Sequence, residues 1–255
     1  MAFIAALAAA PLSAAEPVPN VVAFNASVKV EVDATGKPIK VEAPQDLPQA
    51  VRSYIEKRVA GWQYEPARQD GVAVPATTFV HVGACAIPTP AGDGFNLGLD
   101  YKGNGPGVVS ATGRMPPPTF PFEAQRKGLA GTFKVSYAIQ PDGSTRLQEI
   151  ETLAGGNKLA KLFHPVLAKW VEQMRYTPEL VNGQPVATTM SFPVDFSLRD
   201  DKRHLSPELW RENYKAELQA RAITSKECIA ASAQTDGLQP IAQNSPVKVT
   251  PKPAG

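Results

Sequence analysis

The sequence predicts an α+β fold made of two tandem ββαβ units, each an antiparallel sheet packed on a helix, followed by an extra C-terminal helix. Two observations carry this prediction. A short pattern occurs twice at one constant offset, as Trp62-Gln63-Tyr64-Glu65-Pro66 with Gly71 and Val74, and as Met174-Arg175-Tyr176-Thr177-Pro178 with Gly183 and Val186. Ahead of each copy the hydrophobic period runs in the same order, two residues, a turn, two again, then helical. Self-similarity at a fixed spacing is the mark of a repeated structural unit.

The first unit is assigned to residues 21–87. Val28, Val30 and Val32 alternate with Lys29, Glu31 and Asp33, the period of a strand with one buried face. Asp33 to Gly36 supply a turn, and Ile39 and Val41 a second strand. From Pro48 the apolar residues Val51, Ile55, Val59 and Trp62 recur at helical spacing, and Val74 to Val82 returns to strand.

The second unit, residues 116–199, repeats this more strongly. Phe133, Val135, Tyr137 and Ile139 alternate before a Pro141-Asp142-Gly143 turn, and Leu147 and Ile150 fit the next strand. Leu162, Phe163, Val166, Leu167, Trp170 and Met174 form a helical stripe that Pro165 should restart or kink. Met190, Phe192, Val194, Phe196 and Leu198 close the unit as an alternating strand. Pro193 cannot donate to a ladder, so this strand should have an unpaired side there or lie at an edge.

The remaining segments are punctuation and tails. Residues 88–115 carry many Gly and Pro residues and read as a linker. Leu205, Ser206 and Pro207 open a helix over 205–233 with the stripe Trp210, Tyr214, Leu218, and 234–255, rich in proline, reads as disordered. Residues 1–15 resemble a cleavable export signal, apolar and ending in small residues before Glu16, although no Lys or Arg precedes the apolar core. Export would put Cys85 and Cys228 in an oxidising compartment, where they can close a disulfide; two free buried thiols are the alternative.

Composition excludes several classes. In 255 residues, 26 basic and 24 acidic side chains nearly cancel with no long run of one sign, so no nucleic-acid footprint or polybasic membrane patch is present. His81, His164 and His204 stand alone without ligand spacing, so no metal or other cofactor is expected. Gly92, Gly94 and Gly98 miss the dinucleotide spacing, and Ser245 to Lys248 is a chance Ser-x-x-Lys match. No catalytic residues are assigned and an enzyme is not expected, because no nucleophile, base and orienter come together.

Pro118-Thr119-Phe120-Pro121-Phe122-Glu123-Ala124, then Gly128 and Gly131, the Asp142-Gly143 turn, Tyr176-Thr177-Pro178, Asn182-Gly183-Gln184-Pro185-Val186 and Phe192-Pro193-Val194-Asp195-Phe196 together resemble the C-terminal domain of the TonB energy transducers. The first unit resembles a diverged, shortened copy. The resemblance implies a periplasmic, TonB-like protein-binding module, exported by its signal or else anchored in the inner membrane, in or beside outer-membrane transport. Its partner would be a TonB-dependent outer-membrane receptor or another envelope protein, held by β-augmentation. The implied peptide-binding residues are Met190, Ser191, Phe192, Val194 and Phe196, with Phe120 and Pro121 beside them. For Phe192, Val194 and Phe196 the plain reading as core members weighs more, since a half-buried strand needs them anyway. The alternative is an envelope assembly protein that uses the same edge for self-association, for example as a homodimer. Unlike a full transducer, the chain lacks a long Pro-rich spacer and adds a helix and tail after the domain.

Overall fold

The computed structural model describes residues 22–89, 95–109, 117–154, 157–197 and 240–252. The expected signal, the helix over 205–233, His204 and Cys228 lie outside the described residues. The fold is α+β, and none of its described helices is long and apolar enough to cross a membrane.

The N-terminal part runs β1 (Val22–Val32), β2 (Pro38–Glu42), α1 (Gln49–Ala60), β3 (Gln63–Glu65), β4 (Ala67–Gln69), β5 (Val72–Val74), β6 (Ala76–Pro88), β7 (Phe95–Gly105) and β8 (Gly107–Val108). Strand β1 lies antiparallel between β2 and β6. Its alternation does what the sequence requires, burying Val28, Val30 and Val32 against Ile55 and Val59 of α1. Each such side chain contributes about 1.5–3 kcal/mol on burial. Helix α1 ends where Gly61 and Trp62 turn back to the carbonyls of Arg58 and Val59, and Lys57 and Arg58 in its last turn suit the helix dipole. Trp62 then meets Tyr101 edge to face at 5.6 Å.

The C-terminal part runs α2 (Phe122–Arg126), β9 (Gly131–Ile139), β10 (Thr145–Ala154), α3 (Asn157–Gln173), β11 (Tyr176–Thr177), β12 (Leu180–Val181), β13 (Gln184–Pro185) and β14 (Thr188–Phe196), with β15 (Ile241–Ala242) and β16 (Lys248–Thr250) in the tail. Here β9 lies between β10 and β14, the same relation that β1 has to β2 and β6. Helix α3 continues through Pro165, which is exposed. It lays Phe163, Leu167, Trp170 and Val171 on the sheet.

One turn is built alike in both parts. Gly36 (φ +85°) and Gly143 (φ +80°) follow Asp33 and Asp142, whose Oδ1 atoms accept from Thr35 and Ser144. A Cβ on either glycine would fall well inside contact distance of a carbonyl oxygen, that of Tyr64 or of Tyr176. The repeated Tyr-x-Pro segment therefore docks on the turn between the first two strands, and only glycine fits there.

Two expectations are corrected. The stretch 88–115 contains β7, which pairs with β6 from Phe79↔Gly105 to Pro88↔Phe95, so Phe95–Gly105 is sheet rather than linker. Leu97, Leu99 and Tyr101 do alternate, but interleaved glycines hid the period. Residues 240–252 of the supposedly disordered tail carry β15, paired with β14, and β16, paired with β3. Strands of two and three residues have no period to read, and their partners are far away in sequence. The parts also interlock, since β12 pairs with the start of β6 (Leu180↔Thr77, Val181↔Ala76) and β11 with β8.

Candidate peptide-binding edge

Strand β14 has one long neighbour, β9, running from Thr188↔Ile139 to Phe196↔Gly131. In an antiparallel ladder a residue's N–H and C=O point to the same side and alternate along the strand. The Thr189 carbonyl accepts from Gln243 N at 2.8 Å and its N–H donates to Asn244 Oδ1 at 2.7 Å. Thr189, Ser191, Pro193 and Asp195 therefore present their backbones to the outer edge, and the even-numbered residues bond β9. Pro193 has its missing N–H on that outer edge, as its chemistry demands.

On this edge sits the chain's own tail, with Met190↔Ala242 and Ser191↔Ile241. Below the sheet, Phe196 packs on Phe163 at 4.7 Å and on Phe120 at 5.3 Å, while Phe192 stacks on Trp170 at 5.6 Å. Phe122, next to Pro121, is 73% exposed.

Beside the edge lies a buried polar cluster. Glu179 is fully buried, and its Oε1 accepts from Thr78 Oγ1 and Ser245 Oγ, each at 2.6 Å, while Oε2 accepts from Thr188 Oγ1 at 3.0 Å. Asn104 Nδ2 donates to Ser245 Oγ at 2.9 Å and to the Val247 carbonyl at 2.8 Å, and Tyr101 donates to Asn104 Oδ1 at 2.7 Å. Burial pushes the Glu179 carboxyl above the usual range, against the downward pull of the Ser245, Thr78 and Thr188 hydroxyls. Near the middle of β6, burial holds the His81 imidazole down at about 4, opposed by its bond to the Pro106 carbonyl. Cys85 is buried and disulfide-bonded.

The family model described as Gram-negative bacterial TonB protein C-terminal matches residues 116–198. Residues 116–198 belong to the TonB C-terminal domain family. The solution NMR structure of Pseudomonas aeruginosa TonB CTD is similar at 27% identity, over 35% of this chain and 86% of that chain, with a TM-score of 0.27. No curated protein matches the chain.

Within this TonB C-terminal domain the expected site residues divide. Met190, Val194 and Phe196 are core, between 2% and 4% exposed, so their side chains cannot form a binding surface. Phe120 and Phe192 are half-buried against the same core. Pro121 precedes α2 and its carbonyl accepts from Gln125 N at 3.0 Å. Of the expected site residues on β14, Ser191 alone turns its backbone outward, and there it meets Ile241. Sequence reasoning missed Glu179, Asn104 and Ser245. The one available signal was the repeat itself, because Glu179 follows Tyr176-Thr177-Pro178 where Ala67 follows Tyr64-Glu65-Pro66, and both positions are fully buried. Among the described residues no group of His, Cys, Asp and Glu is placed to hold a metal ion.

Proposed function

We propose that the chain is a periplasmic TonB-like protein-binding module, acting in or beside outer-membrane transport, which takes an extended peptide of an outer-membrane receptor as an added antiparallel strand on β14. The observation that carries this reading is the occupied edge. Ile241 and Ala242 already lie there as a short added strand, with Gln243 and Asn244 extending the hydrogen bonds to Thr189. The edge is thus competent for the backbone-led recognition by which a sheet accepts a peptide. We also read the two ββαβ segments as copies of one unit. In support, β2-β1-β6 and β10-β9-β14 share one order, and the hairpin residues Asp70-Gly71 and Asn182-Gly183 all have positive φ.

The test is an NMR titration of the full chain with peptides from the N-terminal plug segment of TonB-dependent receptors. The largest amide shifts are expected at Thr189 and Ser191, whose N–H groups face outward. The reading is overturned if neither the full chain nor the tail-displaced variant described below responds to millimolar peptide.

A further inference from the structure

The outer edge of β14 lies in a cleft whose other wall is β7. Strand β15 touches both walls, and a Cβ added to Gly105 of β7 would come within 2.7 Å of the Ala242 Cβ. Opposite Met190 the cleft therefore accepts a residue no larger than its backbone contact permits. Ile241, opposite Ser191, is 7% exposed, so this position takes an apolar side chain. Further along, Asn244 Oδ1 stands in for a strand carbonyl toward the Thr189 N–H. Ser245 then puts its hydroxyl between the donating Asn104 amide and the accepting Glu179 carboxylate.

Building on the proposed peptide capture, we infer that the cleft between β14 and β7 selects an extended partner segment of the form apolar, small, any residue, Asn, Ser, and that Ile241-Ala242-Gln243-Asn244-Ser245 fills it in cis until displaced. The hydroxyl is the most selective element. A partner lacking it would remove one of the three hydroxyls bonded to a fully buried carboxyl group, and leaving a buried polar group short of a partner is costly. Pro193 sets the far limit of the slot, since its outer face offers no N–H to continue the ladder. The tail lowers the apparent affinity for any external strand in proportion to the time it occupies the cleft.

The test compares the full chain with its Ala242→Trp variant, which puts an indole where the Ala242 Cβ already lies against Gly105. The probe is a fluorescent peptide carrying the sequence of residues 239–250. The probe is expected to bind the variant at least about tenfold more tightly than the parent chain, reflecting removal of the cis occupant. Hydrogen exchange at the Thr189 amide should quicken in the variant and slow again when the probe is added. Probes with Trp in place of the small residue, or Ala in place of Ser, should bind about fivefold or more weakly. Equal binding to parent and variant, or equal binding of all three probes, overturns the inference. If Ala242→Trp does not fold, Asn244→Ala with Ser245→Ala loosens the tail without adding volume and is read in the same way. Tail probe binding without any receptor-peptide binding would retain the slot and reject the receptor. Receptor peptides that bind parent and variant alike would do the reverse.

Discussion

Strands β6 and β14 hold corresponding places in their sheets, each the outer neighbour of a central strand, yet their free sides are closed differently. The outer side of β6 is covered by β7 from Phe79 to Pro88, after β12 covers its first two residues. Among the described residues, the outer side of β14 is covered from Thr189 to Ser191, by a segment arriving from far along the chain. An unpaired edge invites unwanted pairing, and proteins close it with another strand or blunt it with proline. The N-terminal edge uses the first device over its whole length. The C-terminal edge uses a short strand and then Pro193, the arrangement on which the proposed exchange of its occupant rests. The two sheets share the order β2-β1-β6 and β10-β9-β14, and under the proposed function the difference in their edges gives support to one and recognition to the other.

The largest expected effect comes from the turn glycines, Gly36→Ala against Gly143→Ala. Each places a Cβ at positive φ against a tyrosine carbonyl. Backbone strain alone costs roughly 1–3 kcal/mol, and the Tyr-x-Pro segment must also move. Because β12 lies on the first sheet and Glu179 is bonded to Thr78, the two parts should unfold together. Either variant is expected to lower a single thermal transition in calorimetry by a similar amount. Two separated transitions, each sensitive to only one variant, would make the parts independent and remove the supporting role assigned to the first.

The central elements of both sheets were legible because burial on one face imposes a period that survives in a single sequence: Val28 to Val32 and Phe133 to Ile139 fall where alternation put them. The two turn glycines were legible too, since Gly36 and Gly143 both sit against a tyrosine carbonyl. What was hidden depends on long-range pairing. Strand β7 was masked by Gly98, Gly103 and Gly105, the last of which leaves the space that the tail uses. Ile241-Ala242 looks like any apolar pair in a polar tail until β14 is beside it. The same holds for Glu179, an ordinary acidic residue in sequence whose partners Thr78, Thr188 and Ser245 come from three separate segments.

The buried position after Tyr-x-Pro sharpens the comparison further. Ala67 fills it with a methyl group in one part, and Glu179 with a carboxyl group in the other. Burial raises the Glu179 pKa above that of the unfolded chain, so folding favours the protonated acid. Its stabilising contribution is full below the unfolded value near 4.5 and is lost as pH rises through the folded value. Glu179→Gln keeps an acceptor for Ser245 and Thr78 but cannot ionise. The stability of the parent relative to this variant, from urea unfolding, should therefore fall from pH 4 to pH 8. His81 is held down at about 4, so its contribution is lost as pH falls from about 6.5 toward 4. It is present in both proteins and cancels in the difference. A difference that does not change with pH would mean that the cluster adjusts its hydroxyls without regard to charge, and that Glu179 does not set the electrostatics of the tail site.

The smallest effect is a matched pair on the two sheet surfaces. Lys29 on β1 stands across from Glu42 on β2, 3.8 Å apart, and Lys134 on β9 stands across from Glu151 on β10, 4.0 Å apart. The first lysine also bonds Glu31 at 2.9 Å, while Lys40 reaches Glu42 at 3.1 Å, so it belongs to a network, whereas among the described residues the second stands as a single pair. The bond to Lys29 holds the Glu31 carboxyl below its usual range, so any stability from it is present above about pH 4.5 and lost as pH falls through the depressed folded value. Exposed pairs contribute about 0–1 kcal/mol and are screened by salt. Lys29→Ala should therefore cost a few tenths of a kcal/mol more than Lys134→Ala at low ionic strength, with the gap closing in about 1 M salt, as read from urea midpoints. An equal cost at low salt would show that the network adds nothing to the pair. The distinction between the two parts would then rest on their outer edges alone, where β7 pairs with one from Phe79 to Pro88 and, among the described residues, the short tail segment Ile241 to Asn244 lies on the other.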